Sequence, residues 1–202
     1  MTDNSTPRRI FLGQLALTTA GLAAGTREAG AAVPGPAAGA AATKSGWDDS
    51  WTKKLGSSHR FVFDLADQGK AEMVLDQITS VYDDYHTALD TRDQDIHGVL
   101  VIRHAAIPLI MNDALWTKYK LGAANPNREA IAAWQARGVT VLACDRALMN
   151  RVRNFPRDAG QDEKSVELEV RANVLPGVIL QPNGVYAVHR AQDAGCTLFH
   201  VG

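Results

Sequence analysis

The chain has 202 residues, with 21 Lys and Arg against 22 Asp and Glu and a formal net charge of −1. A near-neutral balance without a basic tail gives no support to a general nucleic-acid or membrane-surface role. Its two cysteines pose a pairing question that only the fold can answer.

The N-terminal segment Thr6-Pro7-Arg8-Arg9-Ile10-Phe11-Leu12 sets an arginine pair one residue before Phe-Leu and a mildly apolar stretch that reaches about Ala24. Gln14, Thr18, Thr19 and two glycines interrupt that stretch, leaving it short of the ~20 strongly apolar residues of a membrane span. The expectation is a twin-arginine export signal rather than a stable membrane anchor, which puts the mature protein in the periplasm or outside the cell. An Ala/Gly/Pro-rich tract from Ala29 to Ala42 supplies Ala-x-Ala cleavage sites such as Ala29-Gly30-Ala31. Residues 1–42 therefore read as signal and tail, 43–58 as a leader, and 59–202 as one α/β domain. Roughly 160 residues remain after the signal, enough to bury about two-thirds of the unfolded surface in a single domain.

The leader carries Trp47 and Trp51, aromatics expected to tuck against the domain. Arg60 to Leu65 is a short aromatic and β-branched run, read as the first strand. From Ala71, apolar residues recur at Val74, Leu75, Ile78, Val81, Tyr82 and Tyr85, the spacing of an amphipathic helix. Gly98 to Ile102 reads as a second buried strand, followed by a helix from Leu109 to about Tyr119 that carries Asn112. Asn127 is placed to cap a short helix to Arg137, and Gly138 suits a left-handed helix end before a third strand, Val139 to Ala143. A polar loop spans Asn154 to Lys164, and a helix is expected from Ser165 to Asn173. Pro176-Gly177 introduces a fourth strand, Val178 to Leu180. A helix from Val185 to Ala194 and a strand from Thr197 to Val201 close the chain.

Strands apolar on both sides and alternating with helices predict a parallel sheet covered on each face. Such sheets bind ligands outside the carboxyl ends of the strands, at the switch point of strand order. No Gly-x-Gly-x-x-Gly follows the first strand and no Gly-x-x-x-x-Gly-Lys-[Ser/Thr] occurs, so glycine-loop nucleotide binding is set aside, and no cofactor is implied. The strand ends offer Asp64 and Asp67, then Arg103 and His104, then Cys144 and Asp145. A thiol leading into a helix lies near the positive helix end, which favours thiolate, while the carboxylate of Asp145 opposes it. Cys144 has two readings, a nucleophile assisted by His104 as base or cation, or a small buried hydrophobe. Asp64 is either a cap or loop-bonding residue or a member of the crevice. Arg146, with Arg151, Arg153 and Arg157, forms either an anion clamp or a solvated helix face. Asp64, Asn112 and Arg146 stand as candidate ligand-binding residues. The remaining histidines, His59, His86, His97, His189 and His200, form no i, i+4 pair, and nothing has the spacing of a zinc site. Cys144 follows the third strand and Cys196 precedes the fifth, so they lie at opposite ends of a parallel sheet, and two free thiols are expected.

Taken together, His59-Arg-Phe-Val-Phe-Asp64, Ala136-Arg-Gly-Val-Thr-Val-Leu-Ala-Cys144, Leu175-Pro-Gly-Val178 with Asn183-Gly-Val185, and Gln192-Asp-Ala-Gly-Cys196 resemble the DsrE/DsrF-like family across nearly the whole domain. The resemblance implies a flavodoxin-like three-layer α/β/α fold with a mainly parallel five-stranded sheet, assembled as a homo-oligomer. It also places Cys144 at the position of a cysteine that, in some members, accepts sulfur as a persulfide and passes it to a partner protein. The two functions in view are therefore a sulfur-handling protein with Cys144 and His104 as its chemistry, and a non-catalytic small-ligand-binding or assembly module.

Overall fold

Five apolar runs become strands β1 (Arg60–Leu65), β2 (His97–Ile102), β3 (Thr140–Cys144), β4 (Ile179–Gln181) and β5 (Thr197–His200). They form one sheet in the order β4-β3-β2-β1-β5, and every neighbouring pair is parallel. The computed structural model describes residues 46–56, 58–157 and 160–200, so the export signal expected over 1–42 lies outside the described residues. Among the described residues, no helix is long and apolar enough to cross a membrane.

Among the described residues, six α-helices connect the strands: α1 (Ala71–Leu89), α2 (Asp113–Lys118), α3 (Arg128–Ala136), α4 (Asp145–Asn154), α5 (Glu163–Ala172) and α6 (Gly184–Asp193). The chain steps from β1 to β4 across the sheet in one direction, and right-handed crossovers then place α1 to α5 on one face. The return from β4 to β5 runs the other way, which puts α6 on the opposite face. The packing shows this division. Phe61, Phe63, Leu100, Ile102 and Val141 point into a large core with side chains of α1 through α5. Their neighbours Val62, Val99, Val101 and Leu142 point into a smaller core with Ala187 and Ala191 of α6. Both faces are buried, so the strands show no alternation of apolar and polar residues. The result is a flavodoxin-like α/β fold of three unequal layers.

The leader helps to cover the thinner layer. Its 3₁₀ turn, Ser50–Lys54, inserts Trp51 fully into the smaller core. Asp49 accepts the Tyr186 hydroxyl at 2.7 Å, and Gln181 Nε2 donates to the Asp48 carbonyl at 2.8 Å. Of the two aromatics expected to tuck against the domain, Trp51 does so fully, whereas Trp47 is only half-buried.

On α1, Val74, Leu75, Ile78 and Tyr82 are buried as their spacing requires, and the helix ends at Asp90 in the left-handed conformation, φ 53°. Gly138, at φ +92°, ends the α3 segment, as expected of a residue without Cβ. The helix expected from Leu109 splits. His104–Ile110 is a 3₁₀ segment containing Pro108, whose missing N–H and ring oppose a continuous α-helix. Met111 then bridges Val174, and α2 begins only at Asp113. The fourth strand is shifted by one residue, to Ile179–Gln181. Both cysteines are free and buried. Because β2 and β1 separate β3 from β5, Cys144 and Cys196 are three strand spacings apart, about 14 Å, where a disulfide needs roughly 7 Å between Cα atoms.

Candidate functional site

Adjacent β3 and β4 send their following helices to opposite faces of the sheet, α4 into the large core and α6 into the small one. That divergence is the switch point at which parallel sheets open a crevice. A pocket of about 360 Å³ lies there, and Arg103, His104, Cys144, Arg146, Asn183 and Gly184 line it. Three of the sequence candidates, Cys144, His104 and Arg146, are thereby brought together.

Cys144 is both the last residue of β3 and the N-cap of α4, with extended backbone at φ −76° and ψ 108°. Its Sγ accepts the Ala147 backbone N–H at 3.3 Å, taking the place of the serine or aspartate oxygen usual at a helix start. The residue is 5% exposed, and that exposure opens on the pocket. The side chain is held at the helix end by its own backbone bond rather than being a loose core filler.

The carboxylate expected to oppose a thiolate is neutralised. Asp145 pairs with Arg171 of α5 at 2.7 Å, and Arg171 also holds Glu167 at 2.9 Å. The Arg171 guanidinium is held above its ordinary pKa, chiefly by the Asp145 carboxylate and then by Glu167, with burial acting against both.

Asp64 is not a cap or loop residue. It sits within β1, 8% exposed, and its two oxygens accept from Arg103 Nε and Nη2, both at 2.6 Å. The register explains the meeting, because Asp64 pairs with Val101 and Arg103 follows directly on the β2 end. Arg103 is likewise held above its ordinary pKa, first by Asp64 and to a lesser degree by attraction to Cys144. Asp64 thus acts behind the pocket, while Arg103, its partner, lines it.

His104 is exposed on the pocket rim at φ 48°, a left-handed conformation uncommon for a side chain with a Cβ. Arg146 projects from the first turn of α4, is exposed, and pairs with no carboxylate among the described residues. Asn112 is a correction to the sequence reading. It caps α2 by accepting the Leu115 N–H at 3.1 Å and donates to Asn173 at 2.7 Å, so its amide is spent on structure away from the pocket.

Among the lining residues that sequence reasoning did not put forward, Asn183 and Gly184 matter most to the shape of the pocket. Asn183 caps α6, accepting the Tyr186 N–H at 2.8 Å, so the starts of two ten-residue helices border the same space. The rule that singled out the ends of the first three strands would have reached them had it been extended to β4. Arrayed backbone N–H groups, helix N-termini and arginines favour a negatively charged occupant. A larger cavity of about 690 Å³ between α1 and α3 is lined by Glu72, Asp76 and Trp134 among others but by no thiol, histidine or arginine. Among the described residues no three His, Cys, Asp or Glu side chains are grouped to hold a metal ion.

No family model matches the chain, and no curated protein does. Among solved structures, a protein of unknown function from Methanobacterium thermoautotrophicum is similar at 16% identity and a TM-score of 0.48, with 71% of this chain and 100% of that chain covered.

Proposed function

We propose that this protein accepts sulfane sulfur on Cys144 as a persulfide and hands it to a partner, as an exported relative of the DsrE/DsrF-like proteins that its sequence resembles. The observation that carries the reading is the setting of the thiol. Cys144 Sγ is fixed at a helix start by a backbone N–H and opens into a pocket with Arg103, His104 and Arg146, while the one adjacent carboxylate is paired elsewhere. Thiolate is the attacking form of cysteine, and the arginines beside Cys144 offer positive charge to an anionic donor.

In the step, the thiolate attacks the terminal sulfur of a donor R–S–SH. A Cys144 S–S bond forms, the donor S–S bond breaks, and its electron pair leaves on R–S⁻; Cys144–S–SH keeps the proton. No oxidant is consumed. Arg103 and Arg146 face the departing charge, and His104 at the rim is placed to exchange a proton with the terminal sulfur.

Incubation of the full chain with inorganic polysulfide, followed by intact mass measurement, tests this. One added sulfur is expected on the wild type and none on Cys144→Ser. A wild-type chain without an adduct would leave the pocket as a binding site and Cys144 as a structural cap. The export reading has its own check, since replacing Arg8 and Arg9 together by Lys should retain the protein in the cytoplasm of a producing cell.

A further inference from the structure

Asp64 and Arg103 form an ion pair that stability alone explains poorly. Asp64 is 8% exposed in a central strand, and removing a carboxylate from water costs several kcal/mol that a pair only partly recovers. Well-packed apolar residues at such positions are often as stabilising or more so, so a retained pair calls for something that it does.

Its geometry says what. Asp64 takes only the Nε and Nη2 edge of the guanidinium. Nη1 has no partner among the described residues and is not among the buried polar atoms left unpaired, so it remains accessible where Arg103 lines the pocket. The stem of the same arginine is confined as well. A Cβ at Gly184 would lie 2.6 Å from Arg103 Cδ and 2.7 Å from its Cβ, so the first residue of α6 is pressed onto it. Gly184 has no positive φ that would require glycine, and the close approach of Arg103 is the reason for it. One arginine is therefore held at its head by β1 and along its stem by α6, beside Cys144.

We propose that the electrophile delivered to Cys144 is a small anion, that Arg103 binds its charged end, and that Asp64 and Gly184 are positioning residues that aim Arg103. The proposal rests on the reading of Cys144 as the nucleophile. Arg146, unpaired among the described residues at the rim of the same cavity of about 360 Å³, adds a second positive charge, and no carboxylate of the described residues lines it. Bidentate pairing preorganises the guanidinium fork, which a lysine could not reproduce at this place.

Two alkylating reagents that differ in charge read this directly. In each, the thiolate displaces iodide, an S–C bond forming as the C–I bond breaks, but iodoacetate carries a carboxylate and iodoacetamide is neutral. Both depend equally on the thiolate fraction, so the ratio of their rates at Cys144, followed by peptide mass, isolates recognition of the anion. The full chain unfolded in urea gives the reference ratio. The native ratio is expected to exceed it at least about tenfold, the scale of one charge-assisted hydrogen bond. Asp64→Asn and Gly184→Ala should each bring the ratio back toward the reference, and Arg146→Ala, at an exposed position that leaves the fold intact, should lower it by a smaller factor.

A native ratio equal to the unfolded one overturns the proposal without any variant being made. So does a rise in the ratio in Asp64→Asn, which would mean that Asp64 acts only as a nearby negative charge. If Cys144 reacts with neither reagent while native, it is the nucleophile reading that fails, and the inference falls with it.

Discussion

The two cysteines are both buried and free, yet the sheet gives them opposite fates. Cys144 ends β3 at the carboxyl edge, where its sulfur starts a helix and opens into a pocket lined by cations. Cys196 precedes β5 at the amino edge, packed in the small core beside α6, and burial pushes its thiol up to about 11, with Arg60 nearby relieving only part of the effect. The charges differ in the same way. At the amino edge, Arg137 is consumed by Asp93 at 3.1 Å and Asp83 at 3.3 Å, and its guanidinium covers the Tyr82 ring at 4.7 Å. At the carboxyl edge, Arg103 spends one side of its guanidinium on Asp64, and Arg146 pairs with no carboxylate among the described residues. Arginine–carboxylate pairs at both ends are thus not equivalent, because a site is marked by capacity left over after the protein's own needs are met.

The widest difference should appear in sulfur loading. Cys144→Ser is expected to abolish the polysulfide adduct, whereas Cys196→Ser should leave it near wild-type level in intact mass spectra. A full adduct on Cys144→Ser would reverse the roles given to the two edges. A thiol with a pKa of about 11 is almost entirely protonated at neutral pH, so Cys196 should also react with an aromatic disulfide at least about a hundredfold more slowly in the folded than in the unfolded protein, as timed absorbance would show.

Arg137→Ala provides the intermediate effect. It removes the hydrogen bonds to Asp93 and the contact with Tyr82, an expected loss of about 1–2 kcal/mol in urea unfolding. The iodoacetate-to-iodoacetamide ratio at Cys144 should not move. If it does, the two edges are coupled and the contrast drawn between them is too simple.

Much of the contrast was legible in the sequence at the level of elements. The strands are local runs of apolar residues, and the change from strand to helix after Cys144 is written in neighbouring positions, so Cys144, His104 and Arg146 could be placed at one edge. The Asp64–Arg103 pair could not be read this way. Its members are 39 positions apart and meet only because β1 and β2 pair in one register. Gly184 was hidden for a related reason, since it reaches Arg103 only because the chain reverses its direction across the sheet after β4. Asn112 misled because an asparagine at a helix start and one at a binding site are the same letter, and only the bonds to Leu115 and Asn173 separate them.

The smallest expected effect lies at the amino edge and concerns pH. His97, the first residue of β2, has its pKa lowered below the ordinary 6.5, first by burial, then by Arg60, with Asp95 acting in the opposite direction. The folded state thus binds a proton less readily than the unfolded one. By linkage, the contribution of His97 is fully present above about pH 6.5, and it is lost as the pH falls from there through the depressed folded value. Thermal unfolding from pH 8 down to 5 should show a steeper decline in the wild type than in His97→Gln, the difference being confined to the acid side of 6.5. Below the depressed folded value both states carry the proton, so the difference due to His97 stops growing and the wild-type and variant curves should run parallel there rather than meet. Curves that run parallel throughout would show that His97 is hydrated equally in both states, and would remove the last difference claimed for this edge.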